Sequence, residues 1–151
     1  MDTRVTEVAR LLVDYSTKIK EGDKILIQIT DCGMDLAVEV YKLAAAKGAS
    51  PLITATPAEA ERGYYSVVDG EHLSLVPEHV LALVQASDVF VSIRGESNPK
   101  ALSSIDPAKI SARQLALTAL QEERLSKRWT LTQYPTNGYA QEAEMSIMIG
   151  G

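Results

Sequence analysis

Side chains capable of chemistry are few and scattered along the chain. His72 and His79 sit in Asp69-Gly70-Glu71-His72 and Pro77-Glu78-His79. A metal site needs imidazole or carboxylate ligands converging from rigid elements, and neither segment has the H-E-x-x-H spacing that puts two histidines on one helix face. Plain surface histidines are the favoured reading. The single cysteine, Cys32, follows an apolar run. A cysteine nucleophile there would need a neighbouring base, and no histidine is well placed to serve. Cys32 therefore reads as a small half-buried residue at a helix start. Glu122, Glu123, Glu142 and Glu144 could be paired carboxylates, but adjacent glutamates on a helix point to different azimuths, and solvated faces account for all four. Arg124, Lys127 and Arg128 cluster near an expected helix C-terminus, where cations complement the dipole. The cluster is too short for a nucleic-acid patch.

One class of site survives on placement. In open parallel sheets, ligands bind beyond the carboxyl ends of the strands. That edge gathers 30–33, Thr56, 94–98 and 135–138, and its polar residues with most binding capacity are Arg94, Glu96 and Asn98. A solvated loop that shapes an interface is the competing reading. A dinucleotide site would need G-x-G-x-x-G after the first strand. The sequence there is Thr30-Asp31-Cys32-Gly33-Met34-Asp35, with one glycine and an aspartate that would repel phosphate. No residue is assigned as catalytic, cofactor-binding or metal-binding.

The elements that would position this edge follow from periodicity. Val5, Val8, Leu12, Tyr15 and Ile19 step by three or four and predict an amphipathic helix over 3–19, capped by Asp2 or Thr3 and stopped by Gly22. Lys24 to Ile29 is nearly continuous in apolar residues, as a strand covered on both faces should be. A helix over 34–47 with Leu36, Val40 and Leu43 inward and a strand over 51–56 follow. The stretch 57–77 predicts a short helix interrupted at Gly63 and Gly70, then a loop. A helix over 77–86 carries Pro77 in its first turn and turns Val80, Leu81 and Val84 inward. A strand covers 89–93. Asp106-Pro107 starts a helix that runs to about Lys127, with Ile110, Leu117, Leu120 and Leu125 apolar. A last strand, 129–134, ends at Pro135, after which Thr136 or Asn137 could cap a helix through Ala140, Ala143 and Met145. Alternating strands and helices imply an α/β, Rossmann-like fold. The expected architecture is a doubly wound, mostly parallel sheet of four or slightly more strands with helices on both faces.

Composition sets outer bounds. The chain has 151 residues, 46% of them hydrophobic and 23% charged, which suits one globular domain. A net charge of -5 argues against nucleic-acid binding. No apolar run is long enough to span a membrane, the N-terminus lacks a signal-peptide pattern, and a lone cysteine rules out an internal disulfide. A cytoplasmic protein is expected.

The stretch 127–145, and above all Arg128-Trp129 followed by Tyr134-Pro135-Thr136 and Ala140-Gln141-Glu142-Ala143, resembles the aminopeptidase T / aminopeptidase S family of metallo-aminopeptidases. Further matching pieces occur in order: Leu11 to Ser16, Gly22 to Ile27, Ala45 to Leu52, Ala86-Ser87-Asp88, Asn98-Pro99 and Asp106-Pro107-Lys109. The resemblance implies an exopeptidase that releases N-terminal residues from peptides with two divalent metals such as zinc or cobalt. It also implies homodimers. The family's Glu, His, Tyr and Asp metal ligands lie in a C-terminal part with no counterpart here. Residues 1–145 thus correspond to the family's N-terminal α/β domain, without catalysis of its own. Alternatives are a free-standing small-ligand-binding domain or an oligomerisation module. After Ala143 the chain departs from the family pattern. The ending Glu144 to Gly151 is a poor helix continuation, and 146–151 resemble a truncation, a shifted reading frame or an engineered scar.

Overall fold

The computed structural model describes residues 3–95, 103–134 and 147–150. Helix α1 (Thr3–Arg10) opens the chain and continues through a π-helical segment, Leu11–Ser16. Strand β1 (Lys24–Thr30) leads to α2 (Met34–Ala46), then β2 (Ser50–Thr56). Three helices follow: α3 (Ala58–Val67), α4 (Gly70–Leu73) and α5 (Glu78–Gln85). Strand β3 (Val89–Gly95), helices α6 (Pro107–Ala116) and α7 (Thr118–Leu125), and strands β4 (Arg128–Tyr134) and β5 (Ile147–Gly150) complete the described chain. The strand order is β2-β1-β3-β4-β5. The first four strands run parallel, as their alternation with helices requires, and β5 pairs antiparallel with β4.

Each face of the sheet buries its own apolar layer. Ile25, Ile27 and Ile29 of β1 and Val89, Val91 and Ile93 of β3 meet Val5, Leu12 and Val13 near the N-terminus and Leu36 and Val40 of α2. All are buried, and this is the main core. On the other face Leu26 packs with Val84 of α5 and Leu120 of α7. The period-2 alternation of a strand assigns these residues to opposite layers. In β4 the side turned to the main core is the threonine side: Thr130 and Thr132 are buried, whereas Trp129 and Leu131 are half-buried. Strand β2 is an edge strand, and its Leu52 is exposed.

Several local expectations are corrected. The first helix ends at Ser16, not Ile19. The Thr17 backbone N–H and hydroxyl both donate to the Leu12 carbonyl, at 3.1 and 2.7 Å, so the chain closes with a five-residue step instead of the α-helical four. Lys18 then takes a left-handed φ of 50°. Gly22 belongs to the turn before β1 and does not stop the helix. Gly63 lies inside α3 without breaking it, and α4 replaces part of the expected loop. Pro77 is the residue before α5, with an extended ψ of 90°. The long helix expected over 106–127 divides at Leu117, whose φ and ψ of -87° and 2° leave the helical range, and Leu125 is exposed. The cap at Thr136 or Asn137 and the helix through Met145 lie outside the described residues.

Candidate functional site

The register of the parallel strands builds a graded surface on the α5/α7 face of the sheet. Its innermost row is Leu26, Phe90 and Trp129, paired in sequence across β1, β3 and β4. The next row, two residues toward the carboxyl ends, is Gln28, Ser92 and Leu131. The third is Thr30, Arg94 and Gln133. The face thus passes from apolar to neutral polar to cationic along the strand direction. Helix α7 covers the apolar end, and beside it opens a cavity of about 240 Å³. Residues from all three rows line it, together with Gln121, Arg124 and Leu125.

Arg124 dominates this cavity. Its Nη2 donates to Gln28 Oε1 at 3.1 Å, and its guanidinium lies 5.2 Å from the centroid of the Phe90 ring. This is cation–π distance. Its Nε is shut off from solvent with no acceptor. Burial lowers the guanidinium pKa, and the positive charge of Arg94 lowers it further. Arginine nonetheless stays charged in proteins. The described lining therefore holds two cations, neutral polar groups and apolar surface, but no carboxylate. That composition suits a small anion with an apolar part.

Of the residues expected at the strand ends, the structure brings Arg94 into this cavity at the end of β3. Glu96 and Asn98 lie outside the described residues. Gln28, Ser92 and Arg124 were not expected in a site. The available signal was polar residues at alternating positions of otherwise apolar strands, Gln28 in β1 and Ser92 in β3, which register places side by side. Arg124 does stand in the last turn of α7, as expected, and from there its side chain also reaches Gln28 and Phe90. The cluster of Arg124, Lys127 and Arg128 separates in space: Lys127 Nζ donates to the Gln85 carbonyl at the end of α5, and Arg128 reaches the opposite end of the sheet.

At the turn after β1, Asp31 has a φ of 74° and Gly33 one of 110°. A Cβ on Gly33 would stand 2.6 Å from Ile93 Cγ2. A Cβ on Gly95 would stand 2.8 Å from Cys32 Sγ and 3.1 Å from the Thr30 carbonyl oxygen. The turn after β1 and the end of β3 thus pack directly on each other. The Tyr134 hydroxyl donates to Asp35 Oδ2 at 2.7 Å and braces the same edge. Cys32 is only partly exposed and packed beside Gly95.

No three His, Cys, Asp or Glu side chains converge among the described residues. His72 Nδ1 lies 2.6 Å from Asp69 Oδ1 within one short turn, and both side chains are more than half exposed. The donor chemistry on these elements does not fit a two-metal centre, which needs ligands converging from several rigid elements.

Three of the pieces behind the family resemblance, those holding Asp23 and Lys24, Asp88 and Arg128, meet at the amino end of the sheet. Asp23, 5% exposed, pairs with Arg128 Nη2 at 2.7 Å and accepts the Lys20 N–H at 2.9 Å. Burial alone would raise the Asp23 pKa, but the hydrogen bonds and charge of Arg128, with the Lys20 N–H, outweigh it and lower the pKa. Arg128 Nη1 also donates to the carbonyls of Thr17 and Lys18, both at 3.0 Å. Asp88 accepts the Lys24 N–H at 2.9 Å and its own N–H returns to the Lys24 carbonyl at 2.8 Å. Asp106 caps α6 through the Ala108 N–H, and Lys109 Nζ donates to the carbonyls of Tyr65 and Val68 at the end of α3. These motifs are structural fastenings.

A family model described as thermophilic metalloprotease (M29) matches residues 1–148, nearly the whole sequence. The chain belongs to the M29 family. Wild-type AmpT from Thermus thermophilus has the same fold, with a TM-score of 0.70 and 19% sequence identity, over 89% of this chain and 36% of the AmpT chain. The M29 chain described here therefore spans about a third of that structure's length. None of the curated proteins matches the sequence. No helix among the described residues is long and apolar enough to cross a membrane.

Proposed function

We propose that residues 1–145 are the N-terminal, non-catalytic domain of a metal-dependent exo-aminopeptidase that releases N-terminal amino acids from peptides. The observation that carries this reading is the M29 match over residues 1–148 in a chain spanning 36% of the AmpT structure. The donor side chains scattered among the described residues support it: Asp35 is engaged by Tyr134, and His72 pairs with Asp69 within one turn. The two divalent metals, zinc, cobalt or similar, then belong to the part of the enzyme that follows this domain. Residues 146–151 are an atypical end relative to the family pattern. Association into homodimers in the cytoplasm completes the reading.

The test is direct. The purified 151-residue chain is incubated with aminoacyl anilides and with zinc or cobalt, and metal content is measured after desalting. The expected results are no turnover and no stoichiometric metal. Chelator-sensitive hydrolysis by this chain would overturn the proposal.

A further inference from the structure

We infer that the cavity beside α7 binds a small organic carboxylate, with Arg94 and Arg124 holding the anion and Phe90 and Trp129 its apolar body. Three independent observations converge on this ligand class. First, both guanidinium groups line one cavity, and no carboxylate of the described lining balances them. Two like charges brought together in a partly desolvated space repel, and an anion between them converts that repulsion into attraction.

Second, Arg124 is already positioned. The Gln28 amide oxygen takes its Nη2 and the Phe90 ring carries one face of the guanidinium, while its Nε has no protein partner. A side chain fixed in this way loses little freedom on binding, which favours affinity. Third, the wall is amphipathic. Phe90, Trp129 and Leu131 line the same cavity as the arginines, with Ser92 and Gln121 as neutral polar groups. A bare phosphate would leave that apolar surface unused, and an amino acid would bring an ammonium group for which the described lining offers no acid. The volume of about 240 Å³ lies below the roughly 300–1,000 Å³ of sites for drug-sized ligands, so the occupant is small.

Trp129 is the single tryptophan of the chain and lines the cavity, so its fluorescence reports occupancy directly. The 151-residue chain is titrated with butyrate, with the neutral isostere butyramide and with inorganic phosphate, all at constant ionic strength. Butyrate is expected to change the Trp129 emission saturably and to raise the melting temperature, whereas butyramide does neither. Arg94→Gln, at an exposed strand end, should weaken butyrate ~10-fold or more, as expected for a charged hydrogen-bonding partner. Arg124→Met should abolish binding, and if that variant fails to fold, Arg94→Gln alone decides. Absence of saturation below about 10 mM butyrate overturns the inference. Equal responses to butyrate and butyramide, tighter binding of phosphate than of butyrate, or unchanged affinity in Arg94→Gln would also overturn it.

Discussion

Replacing Arg128 by methionine should be among the most damaging single changes in this chain. The substitution keeps much of the apolar stem but removes the charge that Asp23 needs. The Asp23 side chain is 6% exposed and that of Arg128 33% exposed. Breaking a buried ion pair by deleting one partner costs about 3–5 kcal/mol, because the other charge is left uncompensated. Arg128 is partly open to water, which lowers the figure, whereas the Thr17 and Lys18 carbonyls also lose their donor. We expect a loss of ~2–4 kcal/mol. With a urea m-value of about 2 kcal/mol/M, the midpoint falls by ~1–2 M. Adding Asp23→Asn to Arg128→Met should cost little more than Arg128→Met alone, since no buried charge then remains. The acid limb supplies a second readout. In the native chain the Asp23 pKa is lowered. Its contribution is therefore fully present above the ordinary carboxylate value of roughly 3.9 and is lost as pH falls through the lower folded value. Without Arg128 the carboxyl loses a hydrogen bond and a positive charge that hold its pKa down, so this acid-side loss shrinks. A midpoint shift under ~0.3 M, or full additivity of the two substitutions, would refute the reasoning.

Gly33→Ala should cost about 2–4 kcal/mol in chemical denaturation, since φ is 110° and the new methyl meets buried Ile93 at 2.6 Å. Gly22→Ala, with a φ of 85° but open space around it, should cost only ~1 kcal/mol. Equal losses would remove the steric argument. Lys109→Met should leave the fold intact but speed amide hydrogen exchange in α3, because the carbonyls of Tyr65 and Val68 lose their donor. The expected cost is ~1–2 kcal/mol, and unchanged exchange would count against the capping role. Deleting 147–151 strips β5 from β4 and opens a strand edge, a template for pairing between chains. Sedimentation should then show concentration-dependent association beyond that of the intact chain, and an unchanged oligomeric state would reject it.

Much of the sheet was legible because a parallel strand leaves a blunt signature. Val89-Phe90-Val91 and Ile25-Leu26-Ile27 are apolar on consecutive positions, and both are buried strands. Gly48, with a φ of 84°, ends α2 where its composition indicated. The end of α1 was not legible, because it depends on one hydroxyl, that of Thr17, choosing the Leu12 carbonyl. The division at Leu117 was also hidden, since leucine carries no breaking signal and the apolar spacing continues across it. The site was half visible. Arg94 follows from its place at a strand end, whereas Arg124 looks like any basic residue near a helix C-terminus until tertiary packing turns it onto Gln28 and Phe90.

The two ends of the sheet divide the work. At the amino end, Asp23 and Asp88 are engaged by Arg128 and by backbone N–H groups, so that end fastens β1 to its neighbours. On the α5/α7 face toward the carboxyl ends, the cavity lining keeps cations without acids, which leaves binding capacity in place of cohesion. The register sets the separation. Arg128 lies opposite Val89, and Gln133, five residues on, lies opposite Arg94. At ~3.3 Å per residue this is roughly 16 Å along the strands, beyond the ~7–10 Å within which substitutions usually couple. Arg94→Gln and Arg128→Met should therefore be additive in stability within ~0.5 kcal/mol. Arg128→Met should leave butyrate affinity unchanged at temperatures where the variant is folded. A coupling above about 1 kcal/mol in the double-variant cycle would show that the fastening end and the cavity are one cooperative unit and that this division fails.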